Sequence, residues 1–524
     1  MRSRNPFDAQ ALCRAVCDGV RAGATRWKYH ALVLLVLALA CGTSPQTTVH
    51  YTKEQLMDPQ TCKPCHPTHY ADWSASMHAY ASDDPLFIAM NARGQDQAQI
   101  GKFCVNCHAP MAVQTGRTVD GRNLATLPQA VKGVTCYYCH NVDGVLDTHN
   151  DASLHFADDG VMRAALADAV PNSAHASTYS SIHDGTKLES AQFCGNCHDV
   201  VNGHGAHIER TFEEWSHSVY DTTAGGNTCI QCHMRKSTGV AANAPAAPQR
   251  DVHEHKFPGV DTPLTAVPGA QQQQMETQRS AVQEFLNTSL QTALCVRGAG
   301  SSASILVVAD NVAAGHDWPS GVAQDRRAWF QVIASVAGTP IYESGVVLPG
   351  QDPADSMDGD LWLLRECLVD GKANVVRNFW EAVTTDGNQL PGQMTYDQMD
   401  PRYYQTHIMQ TYPRDASTTL SAYPDTVTLD VHLLPFSPDL FDDLIPPGDP
   451  GFSATMIQEM RAKLVPMSVG STLTWTVAAA RDSMHGGTEY LDHGVPVLCI
   501  SNTGLNAAAD KVVAPRHTNP ACNP

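Results

Sequence analysis

The sequence predicts a multi-domain chain, mainly helical or irregular in its first half and β-sandwich-like in its second. Three observations carry this expectation. Residues 46–260 hold five copies of one cysteine–histidine motif and show little sustained periodicity. Residues from about 240 to 275 are rich in Ala, Pro and Gln, as linkers are. From about 303, apolar or alternating runs bounded by turns take over, which is the mark of strands. The length of 524 residues and an apolar share of 43% allow two or more cored domains. A formal charge of −19 argues against nucleic acid as a partner.

Residues 1–41 read as a secretory signal peptide. Arg2, Arg4, Arg14, Arg21, Arg26 and Lys28 precede an aliphatic run from Ala31 to Ala40, well short of the roughly 20 residues a spanning helix needs. The run ends at Cys41, and small residues before a cysteine suggest a bacterial lipoprotein site, so Cys41 is expected to carry a lipid anchor. Export places the mature chain where thiols oxidise, and its unpaired cysteines then require a chemical reason.

Ten of the 17 cysteines have one. They fall in five C-x-x-C-H motifs: Cys62/Cys65/His66, Cys104/Cys107/His108, Cys136/Cys139/His140, Cys194/Cys197/His198 and Cys229/Cys232/His233. Two thiols three residues apart on one turn can each add to a vinyl group of the same porphyrin, and the next residue then lies under the iron as an axial ligand. Zinc sites built from C-x-x-C elements come in pairs and do not require the histidine; five is odd, and every copy has it. A disulfide scaffold fails on the same histidine. Residues 46–260 are therefore expected to be a multihaem cytochrome c domain with five covalently attached c-type haems and iron ligands His66, His108, His140, His198 and His233.

Low-spin haems need second ligands. His69 lies too near the first attachment turn to reach across it. His78, in "DWSASMHAYA", projects from a short expected helix whose Trp73, Met77 and Tyr80 share an apolar face. The stretch "EEWSHSVYD" echoes that helix, with Tyr220 in place of His78 and His217 facing elsewhere. His155, His175, His183, His204, His207, His253 and His255 are further candidates.

Residues 261–302 are expected to be linker and helix, the helix across "ETQRSAVQEFLNTSL", and 303–515 the β-rich domain. The runs "SILVVADNV", "AWFQVIASV", "PIYESGVVL", "LWLLRECLV", "NVVRNFWEAV", "TVTLDVHLL", "STLTWTVAAA" and "VPVLCIS" are its expected strands, and Ser453 caps one helix over "SATMIQEMRAKL". Cys295, Cys367, Cys499 and Cys522 allow two disulfides in any of three pairings. His316 lies between a glycine and a Trp-Pro turn near Arg326 and Arg327. It is either a turn histidine packed on Trp318 or a ligand reaching back to a haem, with an arginine pairing the propionates.

The stretches "FCVNCHAPMA", "GVTCYYCHNVDG", "SAQFCGNCHDV" and "TCIQCHM", with the tryptophan-serine-histidine run ending at His78, resemble the bacterial multihaem cytochromes c, in particular the family around the tetrahaem cytochrome that serves hydroxylamine oxidation. Members with an added C-terminal β domain show a similar Ala-Gly-His-x-x-Pro-Thr-Gly segment followed by arginine. Here Ser320 replaces the threonine and Trp318 the usual phenylalanine. The likeness covers most of 55–335. It implies His78, His175, His255 and His316 as distal ligands, with the fifth open between His183 and His253.

The expected function is exported electron transfer in the bacterial cell envelope, in the periplasm or at the outer membrane, with redox proteins as partners. An alternative is a multihaem oxidoreductase in which one five-coordinate haem acts on a small nitrogen or sulfur compound. A third reading gives the β domain the docking role, toward another envelope protein, a polysaccharide or a mineral. No Ser/His/Asp triad, Walker loop or nucleotide fingerprint is apparent, and no side chain is assigned a catalytic role.

Overall fold

In the computed structural model, which describes residues 50–147, 153–222, 226–502, 505 and 507–523, each C-x-x-C-H motif is built on a short helical turn. The helices are Pro59–Cys62, Val105–His108, Cys136–Asn141, Glu189–Gly195 and Cys229–His233. Small polar residues start several of them: Asp58 accepts from the Gln60 N–H, Thr135 from the Tyr138 N–H, and Thr228 forms a capping box with Gln231. Backbone bonds from His66 to Cys62, His108 to Cys104 and His198 to Cys194 close the turn that carries each cysteine pair and its histidine. The expected signal segment and Cys41 lie outside the described residues. Among those described, no helix is long and apolar enough to cross a membrane.

Regular structure between the motifs is sparse, as expected. The segment around His78 is two helices rather than one, Pro67–Ser74 and Met77–Tyr80. The break falls at Ala75–Ser76, where the Ser76 hydroxyl accepts from the Ala79 N–H and restarts the helix. The Ala/Pro/Gln-rich stretch begins as a hairpin, Lys236–Val240 against Gln249–His253. The helix expected after it is Gln272–Ser289, burying Gln278, Val282 and Leu286.

From Gln291 the chain builds two large sheets. One runs Thr488–Asp492, Val495–Ser501, Gln291–Ala299, Ser302–Asp310, His407–Tyr412 and Val512–Val513, antiparallel except for the last pair. The other centres on Arg327–Val336 and Thr426–Leu434, flanked by Thr339–Ser344, Trp362–Leu364, Met467–Ser468 and Leu473–Trp475. Their side chains meet in one apolar cluster that includes Leu294, Val296, Ile305, Val307, Phe330, Trp362, Leu429 and Trp475. Phe330 stacks on Trp362 at 4.0 Å. Two expected strands differ. "NVVRNFWEAV" gives only Val375–Val376 before a 3-10 turn, and "STLTWTVAAA" turns helical at Val477. The disulfides are Cys295–Cys499, across neighbouring strands, and Cys367–Cys522.

The described residues of 52–171 and from 175 onward form one compact unit, and Tyr51 groups instead with 172–174, its N–H donating to the Ala174 carbonyl. In the large unit the motif-bearing region packs directly on the β region. Leu86, Met90 and Leu264 share a core with Leu440, Phe441, Leu444, Ile457 and Met460. Ala206 and Ile208 pack with Leu368 and Ala382.

Candidate haem-binding site

All five motif histidines are held the same way, by an acceptor at Nδ1. His66 donates to the Ala241 carbonyl at 2.7 Å, His108 to Ala81 at 3.0 Å, His140 to Arg163, and His233 to Pro258 at 2.7 Å. His198 instead donates to the Glu209 carboxylate at 3.0 Å. An acceptor at Nδ1 fixes the ring's orientation and tautomer and leaves Nε2 as the lone-pair nitrogen, the arrangement of a metal-bound imidazole.

Four of these rings face a second histidine. His66 opposes His175 at 6.3 Å between ring centroids, His198 opposes His78 at 6.3 Å, His140 opposes His255 at 6.4 Å, and His233 opposes His316 at 6.5 Å. Two imidazoles on one metal, each nitrogen about 2 Å from it, set ring centres a little over about 6 Å apart. The agreement is fourfold. Around His108 the recorded ring neighbour is Phe87, stacked at 4.0 Å and nearly parallel, and no opposed histidine is recorded among the described residues.

The opposed histidines come from four separate places. His78 sits on the Met77–Tyr80 turn, fixed because its carbonyl accepts from the Val134 N–H while Trp73 Nε1 donates to the Val134 carbonyl. Gly133 allows this approach: its φ is +64°, and a Cβ there would lie 2.6 Å from the His78 carbonyl oxygen. His255 follows the hairpin and donates from Nδ1 to the His253 carbonyl at 3.0 Å. His175 has its Nδ1 near the Ala176 carbonyl at 3.1 Å. His316 belongs to the β region. Its carbonyl accepts from Asn311 Nδ2, its Nδ1 donates to the Asp317 carbonyl at 2.8 Å, and Gly315 before it lies against the Tyr220 ring.

His183 and His253, either of which the family resemblance allows as the fifth ligand, are placed differently. His183 stacks beside His140 at 5.7 Å, but its Nε2 bonds the Cys139 carbonyl at 2.8 Å and its Nδ1 the Ser180 hydroxyl at 3.0 Å, so both nitrogens are engaged. His253 bonds the Met234 carbonyl through Nδ1 at 2.6 Å. His69 packs edge-on between His66 and His255. The arginines expected to meet propionates are committed to carboxylates, Arg326 to Asp261 in a bidentate pair and Arg327 to Asp352.

None of the ten motif cysteines is in a disulfide. Instead the motifs adjoin one another through their sulfurs. Cys62 lies within hydrogen-bond reach of Cys136, Cys107 of Cys197, and Cys194 of Cys229, and the charge of Cys139 also reaches Cys197. The fourth motif is thus the junction, next to the second, third and fifth. His198 keeps 52% of its side-chain surface exposed. Burial drives His78 down to about 3 and His233 to about 4, keeping both imidazoles neutral and able to ligate. Burial works the same way on His198, where the hydrogen bond and charge of Glu209 oppose it and hold a proton at Nδ1. Thiol pairs, oriented imidazoles and opposed partners together fit c-type haem.

Comparison with known proteins agrees. A family model described as cytochrome c554 and c-prime matches residues 61–141, the stretch that holds the first three motifs. The solved structure of a penta-heme cytochrome c552 from Thermochromatium tepidum superposes with a TM-score of 0.52 over 82% of this chain and 100% of that one, at 16% identity. Together these support a multihaem cytochrome c. At that identity the structural likeness is one of fold, and no curated protein matches this chain in sequence.

What sequence reasoning missed in this chain is mostly what holds the candidate ligands rather than the candidates themselves. The acceptors on Nδ1 are chiefly backbone carbonyls, which every residue has and no residue type announces. Glu209 could have been suspected only from its place eleven residues after His198, at the end of a short returning strand. Phe257, at φ 47° and 4.4 Å from His78, left no signal at all.

Proposed function

We propose that this chain is an exported pentahaem c-type cytochrome that carries electrons one at a time between donors and acceptors of the bacterial cell envelope. The observation that carries this is the repeated unit of a C-x-x-C-H turn, an anchored Nδ1 and, in four cases, an opposed imidazole. A c-type haem bound to such a unit supplies an iron that takes up and releases one electron. Cys62, Cys65, Cys104, Cys107, Cys136, Cys139, Cys194, Cys197, Cys229 and Cys232 would hold five such groups, with His66, His108, His140, His198 and His233 as proximal ligands. His175, His255, His78 and His316 would be the distal ligands of the first, third, fourth and fifth. The chain's own part is to fix these ligands rigidly, so that little rearrangement accompanies a change of iron charge, and to keep the five attachment turns adjacent.

The remaining parts of the reading follow. The likeness to the cytochromes of hydroxylamine oxidation suggests nitrogen metabolism as the setting. The C-terminal region is a β-sandwich-like domain that supplies His316. The basic and aliphatic N-terminal segment serves as an export signal, with Cys41 as a lipid anchor at a membrane face. An acidic surface, −19 before propionates, favours encounter with basic patches on redox partners.

The test is iron content with low-temperature EPR of the ferric protein, purified from a host that attaches haem. Five irons per chain, at least four of them low-spin, are expected. Fewer than five covalently bound haems would overturn the pentahaem reading.

A second reading rests on one observation. His108 has Phe87 stacked on it and no opposed histidine recorded among the described residues. The second haem would then keep an open iron face, and the protein would act as an oxidoreductase on a small nitrogen or sulfur compound. One high-spin haem that shifts on adding nitrite, hydroxylamine or cyanide would support it, and five low-spin haems would exclude it.

A further inference from the structure

The five motif histidines differ in one respect. Four donate from Nδ1 to neutral main-chain carbonyls, and His198 donates to a carboxylate, Glu209. We infer that Glu209 is a tuning residue that singles out the His198 haem, lowering its reduction potential below the value a carbonyl acceptor would give and placing that step at the junction of the relay. The inference rests on His198 being an iron ligand, as proposed above.

The chemistry is direct. A carboxylate accepting from Nδ1–H draws the proton toward itself, loads negative charge onto the ring and makes Nε2 a stronger donor. A stronger donor and a nearby negative charge both favour the ferric over the ferrous iron, so the bound group becomes harder to reduce. The Nδ1 hydrogen bond is one of the levers by which a protein sets such a potential. Here it is the lever applied differently at one site of five.

The chain builds this contact deliberately. After His198, Val200–Val201 pairs antiparallel with His207–Glu209, so the backbone turns and comes back under its own motif. The turn is tied by Asn202, whose Oδ1 accepts from the His204 and Ala206 N–H groups, and Gly205 takes φ +81°. Asn202 Nδ2 then donates to the Phe379 and Ala382 carbonyls, both at 2.7 Å, while Ile208 packs with Leu368 and Ala382. The β region therefore holds the hairpin that delivers the carboxylate. Arg326, the cation whose charge reaches Glu209, is occupied by Asp261, which leaves the Glu209 bond to His198 intact.

Position gives the tuning a purpose. The fourth motif adjoins the second through Cys107–Cys197 and the fifth through Cys194–Cys229, and the charge of Cys139 in the third reaches Cys197. A harder-to-reduce group at that junction makes passage between the first and last motifs an uphill step, so charge accumulates on either side of it rather than at its centre.

The experiment is a potentiometric titration of the full haem-loaded protein, followed by optical spectra and low-spin EPR, on wild type, Glu209→Gln, Glu209→Asp and Glu213→Gln. Glu209→Gln keeps shape and an acceptor oxygen but removes the charge. It is expected to favour reduction of one haem by about tenfold or more, a rise of about 59 mV or more in one of five potentials, with a change in the g-values of one low-spin signal. Glu209→Asp, which keeps the charge but shortens the reach, is expected to give a smaller rise and serves alone if the Gln variant loses haem. Glu213→Gln removes a nearby charge that bonds His207 rather than His198 and is expected to leave the potentials in place. If no single potential moves in either Glu209 variant, or if Glu213→Gln moves the same potential as far, the inference is overturned. Loss of covalent haem from the fourth motif in the wild-type protein would instead overturn the reading of His198 as a ligand.

Discussion

His233 and His316 face each other with ring centroids 6.5 Å apart and planes 16° from parallel, although one closes the last cysteine motif and the other belongs to the β region. The pair brings the two halves of the chain together at the fifth of the proposed haem sites. In the proposed reading the β region supplies a ligand and is part of the redox unit.

Replacing His316 with alanine removes the opposed imidazole and leaves the cysteines and His233 untouched. One of the low-spin haems is expected to become high-spin, with the other haems unchanged and covalent haem content intact. EPR and pyridine-haemochrome spectra read both. Unchanged low-spin signals would assign His316 to packing alone.

Gly315→Ala acts on the same site from the backbone. The residue sits at φ +76°, and the new Cβ would lie 3.1 Å from Tyr220. Strain in the left-handed region and the close contact together are expected to cost about 1–3 kcal/mol. Thermal unfolding should show the loss, and a partial high-spin fraction should appear at the haem that His316→Ala converts.

Asn202→Ala removes two hydrogen bonds between the hairpin and the β region, one of them buried, together with the Oδ1 bonds that tie the turn. A cost of about 1–3 kcal/mol is expected in denaturant unfolding. If the β region places Glu209, the potential that responds to Glu209→Gln should respond here too, in the same direction and by less.

Asp84 provides a pH test away from the ligands. Its carboxyl is buried and caps the helix Pro85–Gln97 by accepting from the Leu86 N–H; burial first, and Asp261 beside it, raise it from 3.8 to about 7. A folded-state value above the unfolded one means that stability is fully present below about pH 4 and is lost as pH rises through about 7. Asp84→Asn keeps a capping side chain without the charge. Its stability relative to wild type is therefore expected to grow between pH 4 and 7 and to level off above, by on the order of a few kcal/mol. Guanidinium unfolding at pH 5 and pH 8 measures it, and a gap that shrinks with rising pH would contradict it.

The β strands show what was legible and what was not. "TVTLDVHLL" and "VPVLCIS" alternate or run apolar and became Thr426–Leu434 and Val495–Ser501. Gln291–Ala299 and His407–Tyr412, both central in their sheet, were not expected. The first directly follows a helix, and the second is mixed with polar residues whose burial only neighbouring strands make sense of. "STLTWTVAAA" looked like one strand, but Thr476 caps a turn that ends it.

By itself the sequence determined the chemistry that depends on covalent spacing: cysteines three apart on a turn, a histidine after them, five times over. That spacing is local, so no fold is needed to read it. Tertiary structure alone decided which histidine opposes which, because a distal ligand is chosen by where chains meet and not by its neighbours in sequence. It drew His316 from the β region, engaged both nitrogens of His183, and set a carboxylate under His198 where the other four rings have only a carbonyl. Those choices rest on main-chain acceptors and close backbone approach, which sequence patterns do not record.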